Sequence, residues 1–227
     1  RQIDVTDLIT FNLRNEISFR LANWMRVVHA KAGTEKVFPR RDQDVWRISV
    51  SDRSFEKLTL NLAGKVPPLP TSSASTERRG AVAGLEGSYL PGFVAWLADT
   101  GDEWVKFRLR VEVPMSQRAI ATGRLTDEAH DGSSYRATFV SDHRSKLPSL
   151  FVGPYTVKES RVGKVRLRTY FHEEVASFGD HYLVTANQYI EEFSTQIGEY
   201  PFDGFYIISS PLPVGLGFPY LTYVGRM

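Results

Sequence analysis

The feature that most limits what this chain can fold into is an alternation of apolar and polar residues, repeated from Glu16 to about Phe171. The clearest case is Trp104–Val113, where every second residue is apolar and the residues between them are Lys106, Arg108, Arg110 and Glu112. A period of two places alternate side chains on opposite faces of a strand, so one face is buried and the other is wet. We therefore predict an exposed row of charges on this strand.

Shorter segments with the same alternation, separated by turn residues, predict further strands. They are Ile17–Leu21, Trp24–His29 as its returning partner, Val45–Val50, Leu58–Leu62, Ala119–Leu125, Tyr135–Ser141, Phe151–Glu159 and Val165–Phe171. Many short strands with one wet face are typical of antiparallel sheets in a sandwich. The fold class predicted for this part is mainly β, a sandwich or saddle-like domain.

The period changes after Phe171. Apolar residues recur at helical spacing between Tyr182 and Ile197, and this predicts a helix over residues 178–197. Ser177, with Asp180 three residues on, is the predicted helix start, and Gly198 the predicted left-handed residue that ends it. The chain is accordingly divided into a β domain, residues 1–175, and residues 176–227, which start a second, incomplete domain.

Composition excludes several classes of protein. The 28 basic and 26 acidic residues leave a net charge of +2, too small to indicate a nucleic-acid partner. No apolar run approaches the roughly 20 residues of a membrane helix. The absence of cysteine excludes disulfides and thiolate metal sites. The stretch from Lys65 to Ser88, rich in Pro and Ser, is predicted to be one long irregular loop, mobile rather than functional.

Motifs for catalysis and metal binding are incomplete. His172 begins His-Glu-Glu-Val-Ala, but a zinc helix needs a second histidine where Ala176 stands, and His181 is nine residues away. Ser209-Ser210 is followed by a proline where a nucleophile elbow needs a helix, and Gly215-x-Gly217 lacks the remaining features of a phosphate loop. We predict no metal or catalytic site in this chain. Arg166 and Arg168 are predicted to lie on a wet strand face, and the four tryptophans to be packing residues.

The end of the chain is its most informative part. A Tyr-Pro-Phe turn at Tyr200 follows the helical segment, then an apolar strand over Phe205–Ile208, then a glycine-rich loop over Pro213–Pro219. This order resembles the entry into the catalytic domain of the aminopeptidase N-like zinc metallopeptidases. Segments that look like parts of the same family's amino-terminal domain occur in the family's order. They are residues 58–64, 88–96, 113–123 and 151–155.

The resemblance implies a saddle-like amino-terminal domain followed by the start of a thermolysin-like catalytic domain. In that family the strand and loop line the substrate cleft, and the zinc-binding His-Glu-x-x-His helix comes next. The sequence ends at Met227 before such a helix, so zinc is expected only in a longer parent. The implied partners are the rest of the parent's catalytic domain and a peptide substrate. The implied cleft residues are Gly215, Leu216, Gly217 and Phe218.

One departure from the family concerns specificity. Aminopeptidases of this kind have a Gly-x-Met-Glu-Asn loop, whose glutamate holds the free amine of the substrate, whereas residues 215–219 contain no carboxylate. Two functions therefore stay open. In the first, the chain is an inactive scaffold and cleft wall of a metallopeptidase-like protein. In the second, it is a self-contained β-sandwich binding module. The first predicts exposed apolar surface on the helix and on the Phe205–Ile208 strand, and the second predicts that both are buried.

Overall fold

The computed structural model describes residues 1–50, 54–69, 80–102, 104–210 and 215–225. Their strands are β1 (Gln2–Arg14), β2 (Glu16–Arg20), β3 (Met25–Ala32), β4 (Glu35–Val37), β5 (Arg40–Asp42), β6 (Val45–Ser49), β7 (Phe55–Lys65), β8 (Val82–Gly84), β9 (Gly87–Leu90), β10 (Val105–Pro114), β11 (Arg118–Ala121), β12 (Arg124–His130), β13 (Ser134–Ser145), β14 (Leu150–Gly153), β15 (Thr156–Val162), β16 (Val165–Phe171), β17 (Gly204–Ser210), β18 (Leu216–Phe218) and β19 (Leu221–Gly225). The α-helix α1 spans Gly179–Ile197. The predicted mainly β fold, with a helix near the carboxyl end, is confirmed. No helix within these ranges is long and apolar enough to cross a membrane.

The amino-terminal third is a sandwich of two antiparallel sheets. Sheet 1 has the order β1-β7-β3-β4, and sheet 2 the order β2-β6-β5. Phe19 and Ile48 of sheet 2 and Leu58 and Leu60 of sheet 1 are buried in one shared core. Strand β1 was not among the predicted strands, although half-buried and exposed residues alternate along nearly all of it.

The predicted pairing of Trp24–His29 with the Ile17–Leu21 strand is wrong. Strand β3 pairs with β7 and β4, whereas β2 pairs with β6. Backbone partners explain the difference. The N–H of Arg20 donates to the carbonyl of Asp99, and the N–H of Ala22 to that of Ala95, so this end of β2 is hydrogen-bonded before the chain turns into the facing sheet.

The middle of the chain adds two more antiparallel sheets. Sheet 3 has the order β10-β13-β12, and sheet 4 the order β11-β14-β9-β8. The strand predicted over Trp104–Val113 is confirmed as β10, and its charged row from Lys106 to Glu112 is exposed. The opposite faces of these sheets meet in the main core, whose largest buried members include Trp96, Tyr135, Phe139 and Phe151.

Two predicted strands are each divided in the structure. Ala119–Leu125 becomes β11 and β12 in different sheets, because the chain turns at Gly123, where φ is +102° and an added Cβ would lie 2.9 Å from the Val140 carbonyl oxygen. Phe151–Glu159 becomes β14 and β15, with Pro154 between them. A proline has no N–H to continue a strand ladder.

Part of the predicted irregular stretch is regular. Strand β8 and the first two residues of β9 lie within the Lys65–Ser88 segment and belong to one hairpin, so the prediction of one continuous loop is wrong there. Residues 70–79 of that segment lie outside the described residues.

The carboxyl-terminal part is a mixed sheet with a crossover helix. Sheet 5 has the order β15-β16-β17-β19-β18. Strands β16, β17 and β19 are parallel neighbours, and the two edge strands are antiparallel. Helix α1 connects β16 to β17 and packs on β15 and β16 through Leu183 and Ala186. The other face of sheet 5 adds Tyr170, Tyr206 and Tyr223 to the main core.

The helix ends differ in detail from the prediction. Ser177 does not cap α1, because it lies within a 3-10 helix, Glu173–Phe178, that precedes it, and the N-cap position is occupied by Phe178. Gly198 ends the helix at a positive φ of 111°, but its ψ of 165° is extended rather than left-handed helical. The division of the chain at residue 175 stays a prediction, although sheet 5 extends across it.

Candidate functional site

Strand β18 contains three of the four predicted cleft residues, Leu216, Gly217 and Phe218, and Gly215 directly precedes it. The predicted loop is therefore partly an edge strand of sheet 5, and its residues Pro213 and Val214 lie outside the described residues. Within the described part of the chain, β18 pairs only with β19. Its other edge presents main-chain groups that a further strand could pair with.

The two faces of β18 differ. Phe218 points to the main core, where its ring centroid lies 6.3 Å from those of Phe151 and Tyr223. Because side chains alternate along a strand, Gly217 belongs to the opposite face. There it lies in register with Thr222 of β19, which is in register with Ile207 of β17.

Helix α1 lies over the same face as Gly217. A Cβ added at Gly179, the first helical residue, would approach Thr169 Oγ1 at 3.0 Å, and Thr169 is in register with Ile207. The helix packs on β15 and β16 rather than on the far edge of the sheet. Gly217, Thr222 and Val224, here called the open face, are each at least partly exposed.

The missing side chain at Gly217 leaves room on the open face. A Cβ added there would meet nothing within 4 Å, whereas one at Gly215 would lie 3.3 Å from the Tyr223 carbonyl oxygen. The Thr222 hydroxyl donates to the Leu216 carbonyl at 3.1 Å and supports the β18–β19 hairpin. The open face therefore has room beside Gly217 for the side chains of a further strand paired along β18.

His172 serves as a structural link. Its Nε2 lies 2.6 Å from the Glu86 carbonyl oxygen and its Nδ1 lies 2.7 Å from Ser209 Oγ. A carbonyl can only accept, so the network assigns the proton of the neutral ring to Nε2, and Nδ1 accepts from the Ser209 hydroxyl. The same hydroxyl oxygen accepts the backbone N–H of His172 at 2.9 Å. Both ring nitrogens are thus used in joining β16, β17 and the β8–β9 turn.

The remaining histidines are not brought together. His29, His130, His143 and His181 are exposed. Among the residues that the structure describes, no group of three or more His, Cys, Asp or Glu side chains could hold a metal ion.

A polar cluster that the sequence pattern does not reveal surrounds Arg168. Its guanidinium lies 2.7 Å from Glu159 and 2.9 Å from Glu128, and it donates to the Tyr170 hydroxyl at 3.0 Å. The Tyr135 hydroxyl donates to Glu128 at 2.7 Å. The Arg168 side chain is only 10% exposed, so its predicted position on a wet face is wrong. The main core covers that face.

The charges in this cluster are compensated. Burial alone would raise the pKa of Glu128, but hydrogen bonds from Arg168 and Tyr135 outweigh it and hold this pKa below its ordinary value. The cluster joins sheet 3 to sheet 5, because Glu128 lies on β12 and Glu159 and Arg168 lie on β15 and β16. We interpret it as a structural connection between the two sheets.

The tryptophans divide between core and surface. Trp96 is buried and its indole N–H donates to the Pro148 carbonyl at 3.1 Å. Trp104 is half exposed, with the Lys146 ammonium 4.6 Å from its ring centroid. The prediction that the tryptophans are core or inter-sheet packing residues is therefore wrong for Trp104.

Exposed apolar side chains form a stripe on α1. The stripe consists of Phe178, just before the helix, with Tyr189, Phe193 and Ile197, which follow one another at intervals of four residues. Ile197 is 84% exposed, and the stacked rings of Tyr189 and Phe193 are each about half exposed. By contrast, Tyr206, Ile207 and Ile208 of β17 are buried. The exposed stripe on the helix therefore agrees with the scaffold hypothesis, whereas the burial of β17 agrees with the module hypothesis.

The chain resembles known proteins in its fold but not detectably in its sequence. No family model matches the sequence, and no curated protein matches it. Solved structures do share its fold. The M1 zinc metallopeptidase from Deinococcus radiodurans, as a mutant bound to the substrate Tyr-Ser-Ala, superposes with a TM-score of 0.75 at 20% identity, over 97% of this chain and 55% of that one.

Two related structures agree. A two-domain M1 zinc metallopeptidase mutant bound to L-arginine gives a TM-score of 0.73 at 19% identity, over 98% of this chain and 55% of that one. The D. radiodurans enzyme without the mutation gives 0.71 at 20% identity, over 99% and 56%. The chain thus has the fold of the amino-terminal part of M1 zinc metallopeptidases, and spans about 55% of their length.

Proposed function

We propose that the chain is the amino-terminal scaffold and one cleft wall of a metallopeptidase-like protein. In this proposal it does not catalyse peptide hydrolysis by itself, and a longer parent supplies the zinc. The observation that carries the proposal is the apolar stripe on α1. Exposed apolar patches of this kind mark surfaces that another element covers. In the parent, the remainder of the catalytic domain is the proposed cover.

The proposed wall is β18 with Gly215. An extended peptide can add itself to an exposed strand edge through main-chain hydrogen bonds. The side chains of such a peptide would lie over both faces of sheet 5, and the open face beside Gly217 has room for them. The solved structure with Tyr-Ser-Ala bound has the same fold, which supports a peptide as the ligand class.

The burial of β17 favours a second candidate function, that of a self-contained binding module. Its residues Tyr206, Ile207 and Ile208 are buried by sheets and a helix of the chain itself. A self-contained binding module needs this closure, whereas the scaffold hypothesis predicted exposure there.

Peptide hydrolysis and zinc content separate the two candidates. The 227-residue chain and the protein encoded by the complete gene are compared for zinc after dialysis and for hydrolysis of Tyr-Ser-Ala. The scaffold proposal expects zinc and turnover only in the longer protein, with a His-Glu-x-x-His sequence beyond Met227. One zinc per 227-residue chain, lost on replacing His172 or His181, would contradict it. A gene that ends at Met227 would favour the module.

Glycine variants test the wall. Gly217→Val in the longer protein is expected to reduce turnover by roughly tenfold or more, about 1.4 kcal/mol, because a valine on the open face crowds the peptide side chain that lies beside it on that face. The fold should be retained, since valine suits a strand and Gly217 has open space. Gly215→Val tests the neighbouring position. Gly80→Val, at another glycine with open space, is the matched control. Unchanged turnover in both wall variants would mean that these glycines serve a rigid turn and do not contact the peptide.

A further inference from the structure

The residues of the proposed wall indicate which part of a peptide it can bind. Every residue of β18 and β19 is uncharged: Leu216, Gly217 and Phe218, and Leu221, Thr222, Tyr223, Val224 and Gly225. Ile207, the next residue across the open face, is apolar and buried. A ligand backbone lying along β18 would therefore be bordered by apolar and hydroxyl groups.

One carboxylate near the hairpin, that of Asp203, is already compensated. The Asp203 carboxylate, whose charge acts on Tyr220 after β18, lies 3.7 Å from the Arg124 guanidinium. Arg124 also pairs with Asp142 at 3.0 Å.

A free peptide amino terminus would gain no ionic partner from β18 or β19. At neutral pH the terminal amine is largely protonated, since its pKa is about 8. Residues 215–217 are exposed, so an amine beside them would stay hydrated, and β18 and β19 contain no carboxylate that could attract it. Main-chain amides of an internal segment carry no charge, and the strand edge supplies their hydrogen-bond partners.

We propose that β18 takes an internal or amine-blocked segment of an extended peptide and does not select for a free amino terminus. Gly217 is the residue that sets this preference, because its position on the open face is where a carboxylate side chain could otherwise reach a ligand amine. The inference rests on the proposed function, since it assumes that a peptide pairs with β18.

The test uses two tripeptides on the 227-residue chain. Tyr-Ser-Ala amide with a free amine and its N-acetylated form are each titrated, and binding is followed by NMR at the backbone amides of β18 and β19. The acetylated peptide is expected to bind at least as tightly as the free-amine peptide. In Gly217→Glu, the free-amine peptide should become roughly tenfold tighter than the acetylated one, a change of about 1.4 kcal/mol. Gly80→Glu adds the same charge at another glycine with open space and should create no preference.

The possible outcomes separate this inference from the proposed function. If only the free-amine peptide binds at β18 in the unmodified chain, the inference is wrong and the peptide-binding wall stands. If neither peptide shifts the resonances of β18 and β19, the wall itself is wrong and the inference falls with it. Gly217→Glu without any change in preference would remove Gly217 as the determinant.

Discussion

The charged side chain of Arg168 lies in the contact between sheets 3 and 5, where water is largely excluded. Its guanidinium is held by Glu128, Glu159 and the Tyr170 hydroxyl. Ion pairs at the surface contribute little to stability, but removing one member of a buried pair leaves the others uncompensated. The consequence of substitution at this position therefore depends on burial more than on the number of ion pairs.

Arg168→Met is expected to lower the free energy of unfolding by about 3 kcal/mol, the lower end for a broken buried pair, because the two carboxylates are partly exposed. Urea unfolding followed by circular dichroism measures the change. Arg166→Met is the matched control, since Arg166 also pairs with Glu159 but its side chain is 32% exposed. A control that costs as much as Arg168→Met would contradict the role assigned to burial.

The pKa of Glu128 predicts how stability depends on pH. This pKa is lower in the folded chain than its ordinary value of 4.5, so the unfolded chain binds the proton more readily. The contribution of Glu128 is therefore fully present above about pH 4.5 and is lost as pH falls through the folded pKa. Each unit of lowering is worth about 1.4 kcal/mol.

Glu128→Gln is accordingly expected to be less stable than the unmodified chain at pH 7. As the pH falls below 4.5, the variant should lose less of its remaining stability than the unmodified chain does. Urea unfolding at a series of pH values measures this. Arg168→Met should flatten the same region, because it removes a partner that lowers the pKa of Glu128. If Glu128→Gln declines with acid as steeply as the unmodified chain, another group is responsible.

The sequence could not reveal the environment of Arg168. Alternation along β16 correctly separates Arg166 and Arg168 from Leu167, but it says only which residues share a face. Here α1 covers one face of β16 and the main core covers the other, so both faces of this strand are largely buried. An amphipathic strand pattern cannot distinguish water from a second sheet that supplies carboxylates.

In helix α1, the apolar residues that the sequence spacing identifies are only partly buried in the structure. Its extent followed directly from helical spacing, and Leu183 and Ala186 face the sheet as that spacing requires. The apolar residues of the stripe belong to the same spacing but have no cover among the described residues. Sequence periodicity identifies apolar residues without saying which of them the chain itself can bury.

Replacing two stripe residues should therefore change the surface and leave the fold. Tyr189→Gln with Phe193→Gln is expected to alter the free energy of unfolding by less than about 1 kcal/mol, since glutamine is a good helix former and both rings are half exposed. Binding of the dye ANS, measured by fluorescence, should fall.

Leu183→Ala is the contrasting variant on the same helix. Leu183 is 5% exposed, and its truncation is expected to cost about 2–4 kcal/mol. A double glutamine variant that costs as much as Leu183→Ala would mean that the stripe is part of the core of this chain rather than a surface for a partner.

At the scale of the whole molecule, what the sequence predicted was the kind of element, and what it missed was the sheet to which each strand belongs. Strand β10 and helix α1 followed from periodicity alone. The division of Ala119–Leu125 at Gly123 and the pairing of β3 with β7 depend on contacts with residues distant in sequence. Such long-range pairings decide topology, and a local pattern carries no record of them.

The division proposed at residue 175 can be tested through the main core. Residues beyond it contribute Tyr206, Ile208, Leu221 and Tyr223 to that core, against Phe151 and its neighbours. Burying each large side chain is worth roughly 1.5–3 kcal/mol, so their removal costs about 6–12 kcal/mol. That loss is comparable to the whole stability of an ordinary domain.

A fragment of residues 1–175 is therefore expected to bind ANS strongly, to lose its near-ultraviolet circular dichroism and to aggregate, because Phe151 and the Leu167 face of β16 become exposed. A fragment ending at Gly225 is the control and should unfold like the unmodified chain, since the described strands are all retained. Thermal and urea unfolding of the three proteins measures the difference. If residues 1–175 unfold cooperatively at the same midpoint as the unmodified chain, the sheet-5 contacts are dispensable and the boundary at residue 175 is a physical one.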